Sequence, residues 1–160
     1  MLVQLSRSDG HRRPTPTAID LPLAADLPLE DFTHEHPRPV IALFGHPSRV
    51  AGLDAHLPAG WSIRRPRDLD GVHVDDIVLL TRAGVRDVTT ARAVLPRRAR
   101  IVAVVDDDAP AELVAGVLTA GADVCVRGGQ PAILASHLVA CRRRQLTDRW
   151  AAFEAALPRA

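Results

Sequence analysis

From Pro39 onward the chain alternates between two patterns. One is a short apolar run without polar interruption: "PVIALFG" at 39–45, "DIVLLT" at 76–81 and "ARIVAVV" at 99–105. A strand covered on both faces needs a run of this length and kind. "GWSIRRP" reads as a weaker, edge-like strand, and "DVCVRGG" as a last strand. The other pattern is helical. "HPSRVAGLDAHL" sets Val50, Leu53 and Leu57 at helical spacing, with Pro47 near the first turn. "DVTTARAVL" reads as a helix. "APAELVAGVLTAGA" reads as another, with Leu113, Val117 and Leu118 inward and an end near Gly121. "QPAILASHLVACRRRQLTDRWAAFEAAL" reads as one long helix with Pro131 near its first turn. "DLDGVHV" is short and fits neither pattern.

Five strands alternating with five helical segments through short connections predict an α/β fold. The expected form is a doubly wound, five-stranded parallel sheet in flavodoxin-like order, a three-layer sandwich. Residues 1–38 differ from this body: they hold five of the 13 prolines (Pro14, Pro16, Pro22, Pro28 and Pro37). Pro lacks a backbone donor and breaks helices. Residues 1–18 are therefore expected to be disordered and 19–38 to form an extended arm. The folded domain is expected over 39–143, and 144–160 as a helical extension of its last helix.

Composition removes several classes of function. The 160 residues are 47% hydrophobic and 24% charged, the profile of one soluble globular domain. All 20 basic residues are Arg; there is no Lys and no Asn, whose codons are AT-rich, which points to a GC-rich genome. Without Lys there is no Schiff-base, P-loop or kinase-type lysine. A net charge of +1 gives no overall basic field for nucleic acid. Two cysteines, no apolar run of membrane-spanning length and no signal-like N-terminus predict a reducing cytoplasmic setting and no membrane partner.

The order of elements resembles a response-regulator receiver domain. Leu118 to Asp123, "LTAGAD", resembles the L-x-x-A-G-A-D stretch that enters the last strand of receivers, with the A-G-A-D matched and Leu one place nearer to it. "DIVLLT" resembles the strand that presents their phosphorylated aspartate, and "ARIVAVV" the next strand. The likeness covers about Pro39 to Arg143. It implies two-component signal transduction, of phosphorelay or transcription-regulating type. The chemistry of that family does not carry over. Phe44 and Gly45 fall where receivers hold the acid pair for Mg²⁺, Thr81 on the phosphoacceptor, Val105 on the switch Ser or Thr, and Gly128 on the lysine. Phe and Gly side chains offer Mg²⁺ no oxygen, and Thr81 has no adjacent base. The resemblance thus implies a degenerate pseudo-receiver that is not an enzyme and needs no cofactor and no metal.

Other candidate residues each have a plainer reading beside the chemical one. Asp106, Asp107 and Asp108 read as a shifted cation site or, more simply, as acids capping the next helix. Arg127 beside Gly128 and Gly129, together with Thr81, reads as an anion cradle or as a turn with a surface Arg. His34, Glu35, His36 and His46 lack the spacing of a zinc helix and read as surface residues. Cys125 and Cys141 read as a strand and a helix residue without an activating base. Arg64, Arg65 and Arg67, Arg97, Arg98 and Arg100, and Arg142, Arg143 and Arg144 are dispersed among acids and read as solvated faces more than as a nucleic-acid surface.

The last helix carries the most specific feature. Leu146, Trp150, Phe153 and Leu157 form a helical apolar stripe beyond the point where a receiver's last helix would stop. A Trp in that position needs something to pack on. The expected interaction surface is this stripe with Leu113, Val117, Leu134 and Leu138. The expected function is phosphorylation-independent regulation through a protein partner or a homodimer. The alternatives are a small-anion or ligand sensor at the sheet edge and a DNA-binding transcriptional regulator.

Overall fold

The computed structural model describes residues 38–156. The Pro-rich arm, the His34–Glu35–His36 cluster and Leu157 lie outside the described residues.

Five strands form one sheet: β1 (Val40–Phe44), β2 (Ser62–Arg64), β3 (Ile77–Thr81), β4 (Arg100–Val105) and β5 (Val124–Arg127). Their order is β2-β1-β3-β4-β5 and every neighbouring pair is parallel. Three α-helices join them: α1 (Val85–Val94), α2 (Ala111–Thr119) and α3 (Pro131–Ala156). This is the doubly wound α/β sandwich in flavodoxin-like order that the apolar runs predict. All five residues of β3 are buried, as expected of a central strand without alternation.

Alternate residues of each strand feed two cores. Ala42, Val78, Leu80, Ile101, Ala103 and Val105 meet Val88 and Ala91 of α1 and Val117 of α2 on one face. Ile41, Leu43, Ile77, Leu79, Val102 and Val104 meet Leu134, Ala135, Leu138 and Cys141 of α3 on the other. Burying a side chain such as Leu134 or Leu138, both 0% exposed, contributes about 1.5–3 kcal/mol each.

The structure departs from the sequence pattern in several places. The helix expected over 46–57 is two 3-10 turns, Pro47–Val50 and Leu53–His56. Gly52 sits between them at φ 79, which ends any α-helical continuation. Val50 and Leu53 are buried as the periodicity asked, but from turns. The ambiguous "DLDGVHV" contains a third 3-10 turn, Leu69–Gly71, in which Gly71 N–H donates to the Asp68 carboxylate at 3.1 Å. Leu118 points outward and is 43% exposed, since only Val117 of that pair lies on the buried side of α2. Among the described residues no helix is long and apolar enough to cross a membrane.

The "LTAGAD" stretch acquires a structural role. Gly121, at φ 112, turns the chain out of α2. Asp123 then accepts the Ile101 N–H at 2.8 Å, Arg92 at 2.9 Å and Arg100 at 2.5 Å. Burial works against the Arg100 charge, but Asp123 and Asp148 outweigh it and hold its pKa above the ordinary value. The motif thus fixes the start of β5 by charge.

Candidate functional site

The carboxyl ends of β1, β3, β4 and β5 meet at one edge of the sheet, where ligands of open α/β folds bind. Phe44 ends β1, Thr81 ends β3, Val105 ends β4, and Gly128 follows β5. Phe44, Gly45, Thr81, Val105 and Gly128, which the sequence resemblance sets in one pocket, are therefore brought to one edge. Thr81 is only 6% exposed. Its hydroxyl accepts the His46 N–H at 2.7 Å and donates to the Phe44 carbonyl at 3.1 Å, with the His46 carbonyl at 3.3 Å as the other acceptor. One hydroxyl proton and its lone pair are thus committed to the β1 loop. Gly45 makes this approach possible: it sits at φ 91, and a Cβ there would lie 2.5 Å from the Thr81 hydroxyl.

Thr81 and Arg127 do not form a cradle. Thr81 lies in one row with Val104 and Val126, which point into the α3 face. Arg127 lies in the row of Val105, which points into the α1–α2 face. The two residues are also two strands apart, roughly 10 Å along the sheet. Gly128, at φ 71, turns the chain under the Asp107 carboxylate, where a Cβ would collide.

The acids after β4 neither cap α2 nor gather a cation site. The residue before α2 is Pro110, with no side-chain cap. Asp106 instead pairs with Arg49 at 2.5 Å and lies 3.9 Å from Arg82 Nε. Among the described residues no three His, Cys, Asp or Glu side chains form a group able to hold a metal ion.

Between β1 and β3, where the strand order reverses, lies a shallow cleft of about 430 Å³. Phe44, His46, Leu69, Thr81, Arg82 and Asp87 line it. Arg82 was not foreseen from the sequence. It has φ 55, alone among the described non-glycine residues in being left-handed. A left-handed Arg costs of order 1–3 kcal/mol, and nothing in the wording "LLTRAG" signals it. Asp87 faces the cleft but accepts the Gly84 N–H at 2.8 Å, which satisfies the first turn of α1.

The expected interaction surface divides. Val117, Leu134 and Leu138 are all 0% exposed and lie in two different cores, and Leu113 packs against the first. They are not a surface, because hydrophobicity at helical spacing marks the buried stripe first. Leu146, Trp150 and Phe153 are 37%, 65% and 59% exposed. The Trp150 and Phe153 rings meet edge to face, with centroids 6.2 Å apart and planes at 89°.

Not all of the helix beyond Cys141 is free. Arg142 and Gln145 are buried, 6% and 3% exposed. Arg142 donates to the Asp75 carbonyl at 3.2 Å and to Gln145 Oε1 at 2.9 Å, so it is not the solvated residue its cluster suggested. Burial lowers its pKa despite Asp75 nearby. Arg64 pairs with the buried Asp76, and Arg100 with Asp148 of α3. Arg97 and Arg98 are exposed, as expected. Burial pushes the thiols of Cys125 and Cys141 up, the opposite of activation.

No family model matches the chain, and the search of curated proteins returns no match.

Proposed function

We propose that the protein is a degenerate, receiver-like regulator that acts by binding protein through α3, without phosphorylation and without enzymatic activity. The observation that carries this reading is the exposed Trp150–Phe153 pair on a helix otherwise anchored to the domain. Large aromatic side chains held in place at a surface are the usual anchors of protein interfaces. The placement of the Thr81 hydroxyl supports the non-enzymatic half, since its proton is directed at the backbone carbonyls of Phe44 and His46 and a nucleophilic hydroxyl needs a base as its acceptor.

Incubation with a small-molecule phosphodonor and Mg²⁺, followed by intact mass, tests the first half. No phosphoryl adduct is expected, and a stoichiometric one sinks it. Binding is tested by comparing the complexes formed by the full chain and by its Trp150→Ala, Phe153→Ala variant. Complexes unchanged by the variant would remove α3 as the surface.

A ligand-sensing reading is favoured by one observation, the cleft at the strand-order reversal with its left-handed Arg82. A rise in melting temperature with a small organic anion, lost in Arg82→Ala, would move the function there.

A further inference from the structure

The two faces of the sheet are covered unequally. Two α-helices, α1 and α2, close one face. Among the described residues the other has α3 and, where a second helix would lie, only the 3-10 turns Pro47–Val50 and Leu53–His56. The gap leaves a groove of about 350 Å³ between His56 and the flank of α3 formed by Ala132, Ala135, Ser136, Val139 and Arg143.

This groove runs into the aromatic stripe. From Ala132 the steps to Ser136, Val139, Arg143, Leu146, Trp150 and Phe153 alternate four and three, the repeat of a coiled-coil seam over three heptads. Every residue of the seam is exposed or half-buried. Helices that present such a seam pack side by side at a shallow angle.

We propose that the seam binds a second copy of this chain, the two α3 helices lying parallel and in register. The inference rests on the reading of α3 as a binding surface and names its occupant. Charge selects the direction. Arg149 flanks the seam on one side, where it also reaches the exposed Asp75 of its own chain at 3.3 Å, and Glu154 flanks it on the other. In a parallel pair, a residue on the first flank meets the residue five places further on in the partner. Arg149 then faces Glu154 of the second copy, twice by symmetry. In an antiparallel pair like flank meets like flank, so Arg149 would face Ala135, Arg142 or Arg149, and Glu154 would face Ile133, Ala140, Thr147 or Glu154, with no opposite charges brought together.

Area selects the extent. Even fully buried, a Trp or Phe offers about 150–250 Å². Partly exposed Leu146, Trp150 and Phe153 from two copies fall short of the roughly 1,200 Å² that a stable interface buries. Pairing therefore has to continue up the helix into the groove, where the small Ala132 and Ser136 permit close approach. Arg143 lies inside the seam and faces its own copy, so the dimer is reversible.

Sedimentation equilibrium on the full chain, with matched variants, tests this. A monomer–dimer equilibrium is expected, weakened about tenfold or more by Trp150→Ala with Phe153→Ala. Arg143→Leu should tighten it. Glu154→Arg should weaken it, and Arg149→Glu added to Glu154→Arg should restore it. On a background with Cys125→Ser and Cys141→Ala, Leu146→Cys and Phe153→Cys should each form a disulfide to their own copy with oxidised glutathione. Closure at only one of the two sites would indicate antiparallel crossing and overturn the proposal. So would a monomer at every concentration. If that monomer still binds another protein through Trp150, the second copy is the wrong occupant while binding through α3 stands.

Discussion

The two ends of the sheet handle charge in opposite ways. At the carboxyl end, where α/β folds place their chemistry, the ion pairs Arg49–Asp106 and Arg82–Asp106 are substantially exposed, and Thr81 is the one buried polar side chain there among the described residues. At the amino end, Asp76, Arg142 and Gln145 are buried, and Asp123 gathers Arg92 and Arg100 around the start of β5. Buried, paired charge usually marks a working site. Here it lies on the opposite side from the expected site, and each member serves to fasten a strand or α3. A perturbed or buried ionisable group therefore has to be read with its position in the topology before it is read as function.

That contrast can be broken most sharply at Asp123. Asp123→Ala leaves Arg92, Arg100 and the Ile101 N–H without their shared acceptor. A loss of about 1.5–3 kcal/mol is expected by chemical denaturation, because these pairs are half-buried and their hydrogen bonds are made to charged groups. A loss below 1 kcal/mol, on the order of an exposed pair, would erase the distinction between the two ends. Thr81→Val probes the carboxyl end. Two hydrogen bonds to the β1 loop are lost, and about 1–2 kcal/mol is expected. An unchanged midpoint would mean that the hydroxyl is free for other use.

The thiols sharpen the picture by rate and by pH. Burial raises the Cys141 pKa, so the folded protein disfavours the thiolate. Its contribution to stability is complete below the pKa of the unfolded thiol and is lost as pH rises through the folded one. Alkylation of Cys141 at neutral pH should proceed at the unfolding rate, and Cys125, half-buried, should react first. Equal, fast reaction at both would show that α3 opens readily. The smallest effect is expected at Trp150. Trp150→Ala removes a 65% exposed ring, and denaturation should shift by no more than about 0.5 kcal/mol in the monomer. A larger shift would mean that the ring packs within its own chain.

The sheet was legible because a strand buried on both faces leaves an unbroken apolar run, as "DIVLLT" and "ARIVAVV" do. The first crossover was not. Val50, Leu53 and Leu57 have helical spacing, yet Gly52 in a left-handed conformation divides them, and a 3-10 turn satisfies the same burial. At the edge, the pattern places Phe44, Gly45, Thr81, Val105 and Gly128 together because they all end strands. It does not carry the alternation that sends Thr81 and Arg127 to opposite faces, since in a fully apolar strand both parities look alike. Leu134, Leu138 and Trp150 share one helix pattern, and only packing separates the core residues from the exposed one. Arg82 is a matter of backbone strain, which side-chain chemistry does not encode.

The substitution of 3-10 turns for a helix on one face also sets an order of events at the ribosome. Among the described residues, Leu43, Leu79, Val102 and Val104 have α3 as their only long cover, and α3 is synthesised after all five strands. The α1–α2 side can close as soon as β4, α2 and β5 have emerged. The other side stays open, with an apolar, fully parallel surface in contact with solvent, until residues 134–141 leave the exit tunnel. Such a surface is sticky while it waits, so the interval before α3 docks is the period of greatest risk in the life of this molecule.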